Sequence, residues 1–358
     1  MTLRRRAALL ACIATLAAAS ATAQSADWPA KTLRIVVPYP PGGSSDIIAR
    51  SISQAMSEAL KQSVIVENKP GANGNLGADF VAKAEPDGYT MLLCDVGALA
   101  ISPSVYTKLS FDPSKDLRGV TMLAYSPHLL VVHPSVPVSN LKELVAYSKK
   151  NDLNFAVTAT GSAPHVAGVA LERAAGARWQ YIPYKGGVTA IQDTVAGQTQ
   201  ILMNGMLATL PHVQNGKLKV LGVSKATRMP LIGDVPTIAE QGVPGFESGT
   251  WQGILVPRGT PEAVVQKLNK ALITAIRAPE IRSRLAGQGA EVVTMTPAEQ
   301  DRFFAKERAR WAGVVQAAAK RSPSTPTTHS RQAPLCPRRS CQHRCGIGWP
   351  ARCAACRI

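Results

Sequence analysis

The stretch that most constrains this chain is Leu33-Arg34-Ile35-Val36-Val37, which runs through Pro38-Tyr39-Pro40-Pro41-Gly42-Gly43 into Ser44-Ser45-Asp46. An apolar, β-branched run bounded by turn residues predicts a buried strand. From 46 to 60 the pattern changes to helical spacing, with Ile47, Ile48, Ile52, Met56 and Leu60 apolar. A strand that feeds a helix through a glycine turn gathers the helix's first free N–H groups at one point. The helix dipole favours negative charge at that same point. The chemistry expected there is capture of a small anion.

The alternation continues. A second strand is predicted over 63–67, a glycine-rich loop over 69–75, a helix over 78–84 and a third strand over 89–94 after the turn Pro86-Asp87-Gly88. This βαβαβ order implies a doubly wound, mainly parallel sheet. Over 120–132 two extended segments, split by Ser126-Pro127, read as a crossing into a second domain. There, strands are expected at 154–157, 181–183, 200–203 and 219–223, with helices at 140–149, 165–175 and 188–196. The segment 250–256 reads as the return crossing. Helices at 261–277, 279–288 and 297–318 complete the first domain, each opening with proline.

The ends of the chain differ from its body. Arg4, Arg5 and Arg6 precede an apolar stretch over 7–19, and Ala21-Thr22-Ala23 has the small-x-small pattern of a cleavage site. Residues 1–23 are therefore expected to be an export signal. Its apolar run is too short to span a bilayer. Cys12 lies too close to Arg6 for a lipoprotein signal. Of the formal charge of +17, three units belong to the signal and seven to arginines beyond 320, which leaves +7 on the body. A mildly basic body suits anionic solutes. No basic helix with interleaved aromatics is present, which argues against nucleic-acid binding.

Five of the seven cysteines lie beyond 335, and Cys94 is the body's only one. The tail 321–358 has no carboxylate and only one CxxC, Cys353–Cys356, so a zinc site is not expected. It reads as a disordered or frame-shifted extension. No cofactor and no metal are predicted.

Seven segments, in order, carry a resemblance. They are 40–50 (PPGGSSDIIAR), 67–74 (ENKPGANG), 86–90 (PDGYT), 160–165 (TGSAPH), 182–187 (IPYKGG), 234–237 (DVPT) and 242–246 (GVPGF). Together they resemble the Bug-type periplasmic solute-binding proteins of the tripartite tricarboxylate transporter system. The resemblance covers about 28–320. It implies an α/β, type II-like periplasmic binding protein: two lobes, each a mainly parallel sheet flanked by helices, joined by crossing strands. Lobe 1 is expected at 28–126 plus 253–320 and lobe 2 at 127–252. It also implies a small organic carboxylate as ligand, integral-membrane permease subunits as partners, a monomer, and a periplasmic location. A periplasmic sensor serving a signalling partner has the same sequence signature.

The expected ligand-binding residues follow the two glycine turns. Tyr39, Pro41, Gly42, Gly43, Ser44 and Asp46 belong to the first, and Asn73 to a neighbouring wall. In the second lobe Thr160, Gly161, Ser162 and His165 repeat the arrangement, with Tyr184, Gly186 and Asn204 beside them. Gly43 lets backbone approach a ligand. Ser44 and Ser162 are natural helix caps or carboxylate donors. Asp46 reads as a brace for its loop. Many relatives carry Asp where this chain has Asn204, and an Asn cannot pair with an ammonium. That departure favours a plain carboxylic or hydroxy acid.

No catalytic residue is expected. The best nucleophile would be Ser224 in Gly222-Val223-Ser224-Lys225-Ala226, but a hydrolase elbow needs glycine where Ala226 stands. The spacing around Gly42 also fails the nucleotide-binding P-loop pattern.

Overall fold

A computed structural model describes residues 28–320 apart from 107; the expected signal and the tail lie outside the described residues. β1 (Leu33–Val37) is apolar apart from Arg34, as suits the middle strand of a parallel trio. β2 (Val64–Asn68) pairs on one side and β3 (Thr90–Asp95) on the other. Parallel neighbours need crossovers, which α1 (Ser44–Leu60) and α2 (Asn75–Ala82) supply. α1 starts two residues before the point the apolar spacing marks, since Ser44 and Ser45 contribute no apolar residue to that pattern. A buried helical turn, Gly97–Ile101, runs into α3 (Ser102–Val105). Apolar on every face, it lacks the amphipathic period that announces a helix.

β4 (Leu117–Val132) is one strand of 16 residues rather than two segments. As far as Pro127 it pairs antiparallel with β9 (Gly249–Pro257). From His128 it pairs with β7 (Ile201–Gly205) and β8 (Lys219–Val223). Pro127, which has no N–H to donate, stands where the partner changes.

Beyond β4 come α4 (Leu141–Ser148), β5 (Asn154–Val157), α5 (Ala163–Ala175), β6 (Gln180–Pro183) and α6 (Gly187–Val195). β5 pairs parallel with β6 and β7. α7 (Met206–Gln214) follows β7 directly; the sequence pattern hides it because Pro211 lies inside the helix. α8 (Glu262–Ile276), α9 (Pro279–Ala286), the short β10 (Glu291–Val292) and α10 (Pro297–Lys320) return to the first sheet. The hydrogen-bonded order is β2-β1-β3-β9-β4-β7-β5-β6, with β8 and β10 also on β4. Each half is thus parallel at its outer strands and antiparallel where the crossing strands enter.

The core forms four clusters, two centred on each half, and Leu207, Ala163 and Val166 of the second half join those of the first. Ile48, Ile52 and Met56 of α1 pack with Val265, Leu268 and Leu272 of α8 over one face of the first sheet. Val36, Leu92 and Cys94 pack with Phe304 and Trp311 of α10 over the other. Cys94 is a buried free thiol. In the second half Phe155, Leu171, Trp179 and Met203 cover one face, and Ile191, Leu202 and Leu210 the other. Among the described residues no helix is long and apolar enough to cross a membrane.

Candidate ligand-binding cleft

In both halves parallel strands end in short turns that open helices, and these turns meet. From the first half, Tyr39, Gly43, Ser44, Ser45, Asn73 and Asp95 line a cavity of about 60 Å³. β9 adds Thr250 and Gln252. The second half closes the cavity with Thr158, Ser162, Ala163 and Pro164, and with Gly187, Asn204, Gly205 and Ala208. A second hollow of about 210 Å³ shares Tyr39, Asn73 and Thr158 with the first and reaches Thr160 and Tyr184. Another hollow, about 1000 Å³, runs along Arg277, Arg282 and Glu291 and meets none of the predicted site residues.

The starts of four helices line the smaller cavity: α1 at Ser44, α5 at Ala163, α6 at Gly187 and α7 near Gly205. In α1 the first backbone bond is Ile47 N–H to the Gly43 carbonyl, at 2.9 Å. The amides of Ser44, Ser45 and Asp46 precede it and have no intrahelical acceptor. No lysine or arginine is among the lining residues. What favours an anion there is the helix dipoles and neutral donors.

Asp46 does not line the cavity; it braces the turn. Its Oδ2 accepts from Gly42 N–H at 2.9 Å, Arg50 Nε donates to both oxygens, and Asn68 Nδ2 donates to Oδ1 at 3.0 Å. Burial pushes its pKa up, but the hydrogen bonds from Arg50, Gly42 and Asn68 outweigh this and hold it below the ordinary carboxylate value. Gly42, at φ +84°, is where the turn needs glycine; Gly43 has φ −78°. Pro41 and Gly42 shape the loop without lining the cavity.

The second turn has a neutral brace. Ser162 Oγ caps α5 by accepting from His165 N–H at 3.3 Å and donates to the Ala159 carbonyl at 2.8 Å. His165 Nδ1 accepts from Gly161 N–H at 3.0 Å, and its ring packs edge-on against Tyr181. His165 thus faces its own loop rather than the cavity, and burial lowers its pKa. The Gly161 carbonyl accepts from Asn73 Nδ2 at 3.3 Å, and Tyr106 Oη donates to the Thr160 carbonyl at 3.1 Å; both bonds tie the halves together. Asn73 sits at φ +57°, in a left-handed region that Asn tolerates. Gly186 opposes Pro40: a Cβ there would lie 2.6 Å from Pro40 Cδ. Asn204 lines the cavity and donates to Thr209 Oγ1 at 3.3 Å.

Asp95 and Gln252 lie on elements the sequence predicts, at the end of the third strand and within the return crossing, but neither adjoins a glycine turn that would mark it as a site residue. Asp95 Oδ1 accepts from Tyr39 Oη at 2.6 Å and Gly97 N–H at 2.8 Å. Burial pushes its pKa up to about 6, against the effect of those bonds.

Ser224 is fully buried. Its Oγ contacts the carbonyls of His128 and Ser248 and accepts from His128 N–H at 2.9 Å, so it ties β8 to β4.

Residues 48–319 match the family described as Tripartite tricarboxylate transporter family receptor (TctC). The chain is 33% identical to protein BugT of Bordetella pertussis over 88% of this chain and 98% of that protein. It superimposes on "R. palustris Rpa4515 with adipate" with a TM-score of 0.79, at 33% identity, covering 82% of this chain and 99% of that one. On MatC (Rpa3494) from Rhodopseudomonas palustris with bound malate the TM-score is 0.77, at 34% identity, covering 80% and 100%. The chain belongs to the Bug-type receptors of the tripartite tricarboxylate transporter family, two-lobed periplasmic solute-binding proteins rather than enzymes.

Proposed function

We propose that the protein captures a small organic carboxylate between lobe 1 (28–126 plus 253–320) and lobe 2 (127–252) and delivers it to integral-membrane permease subunits. Residues 1–23 direct its export. The observation that carries this reading is that the starts of α1 and α5, from opposite halves, line one cavity with no cationic side chain. A carboxylate accepts from such amides and hydroxyls through charge-assisted bonds, each contributing about 1.5–3 kcal/mol. Because donors come from both halves, the ligand binds the closed arrangement better than an open one, which is what drives closure. The relatives' bound adipate and malate support a carboxylate as the class.

The test is a thermal-shift screen of the full chain against C3 to C6 carboxylic acids and their primary amides. A ligand at a hundred times its dissociation constant stabilises by about 2.7 kcal/mol. Stabilisation by acids and not by amides is expected; equal stabilisation by the amides would reject a carboxylate site.

A further inference from the structure

Two side chains in the cleft have acceptor capacity that none of the described residues uses. Asp95 ends β3 and Gln252 lies directly across from it on β9, in register. Both line the 60 Å³ cavity. Tyr39 and Gly97 occupy Oδ1 of Asp95, and no described residue bonds its Oδ2. Gln252 is 1% exposed and its Oε1 is buried without a partner. A buried, unpaired amide oxygen is costly, and a ligand donor would satisfy it.

We propose that Asp95 and Gln252 form an acceptor subsite that selects carboxylates carrying a hydroxyl or ammonium group. This rests on the carboxylate reading above and narrows it. The ligand carboxylate belongs at the helix starts, where amides point. It is excluded from Asp95, because two like charges in one small cavity repel. A proton-donating substituent satisfies both Asp95 Oδ2 and Gln252 Oε1. The subsite also supplies the carboxylate that Asn204 lacks, so the absence of an acid at 204 no longer argues against an amine. Hydroxyl and ammonium differ in one respect. If the Gln252 amide is turned over, its N–H₂ can still donate to a hydroxyl oxygen but not to an ammonium.

The experiment is calorimetric titration of the full chain at pH 7.5 with two matched series: propionate, lactate and alanine; succinate, malate and aspartate. Each series varies only hydrogen, hydroxyl and ammonium. In at least one series a substituted acid is expected to bind at least tenfold tighter than the unsubstituted one. If that acid is the amine, Asp95→Asn removes the preference. If it is the hydroxy acid, Asp95→Asn weakens binding only a few-fold, since an amide oxygen still accepts, and Gln252→Leu removes the rest. Circular dichroism and the unfolding temperature of both variants check that they fold. Unsubstituted acids binding as tightly as their substituted partners would overturn the subsite and leave the carboxylate reading standing. Preference unchanged in both folded variants would do the same. Absence of binding by every acid, here and in the thermal-shift screen, would overturn both.

Discussion

The two strand-to-helix turns that meet across the cleft each carry a positive-φ glycine, Gly42 and Gly161, and differ in their bracing. On the β1–α1 turn a carboxylate, Asp46, gathers Gly42 N–H, Arg50 and Asn68. On the β5–α5 turn a hydroxyl and a neutral imidazole, Ser162 and His165, gather the backbone of 159–165. Both braces leave helix-start amides directed at one cavity. The difference shows that the helix-start geometry is separable from the charge that supports it: the first brace needs an ionised acid, the second an unprotonated base.

The largest effect should come from removing the charged brace. Asp46→Ala removes the shared acceptor of three donors, one of them charged, at a position only 3% exposed. A loss of about 2–3 kcal/mol is expected from its charge-assisted bonds. Ser162→Ala removes a helix cap, which typically costs about 1 kcal/mol. Urea unfolding of both variants measures this. Equal losses would break the contrast between the two turns.

The sequence announces these turns because glycine, proline and serine mark them within a few residues. It announces the three parallel strands around β1 for a similar reason: Val36 and its neighbours are buried on both faces and read as a continuous apolar run. The residues that evade it do so for physical causes. α7 carries Pro211, a helix breaker by local rules that tertiary packing overrides. Asp95 and Gln252 meet only because β3 pairs with β9 across 157 positions of chain, and no local pattern encodes that register. His165 and Asp46 were legible as members of the turns, but which way each side chain faces depends on partners such as Tyr181 and Asn68 elsewhere in the fold.

A smaller effect separates the braces by pH. His165 has a folded pKa below its ordinary 6.5 because burial disfavours the cation. Its contribution is fully present above 6.5 and is lost as pH falls toward the folded value. Asp46, also depressed, contributes above 3.8 and loses its part only below that. His165→Gln should therefore flatten the stability–pH slope just below 6.5, by less than the roughly 1.4 kcal/mol per unit that one whole proton gives. Asp46→Asn should leave that interval's slope unchanged and flatten the curve only below 3.8. His128, buried and pushed down to about 3, adds the same acid-side loss to every variant and does not disturb the difference. Urea midpoints from pH 3 to pH 8 measure it. A flatter slope below 6.5 in Asp46→Asn would assign the acid sensitivity to the wrong turn.

The smallest effect is expected at Gly43. Its φ of −78° is open to any residue, and a Cβ would meet nothing nearer than the Pro40 carbonyl at 3.6 Å. Gly43→Ala should change stability by no more than about 0.5 kcal/mol, since the lower entropy of the unfolded chain and the weaker helix cap act in opposite directions. The added methyl group nonetheless stands where α1 lines the cavity, within 3.9 Å of Val188 in the other half. Unfolding and calorimetric titration of the same preparation therefore separate scaffold from site. A weakened carboxylate affinity at unchanged stability locates the ligand against the first turn, whereas affinity and stability both unchanged would move the anion to the second turn and make the charged brace a purely structural device.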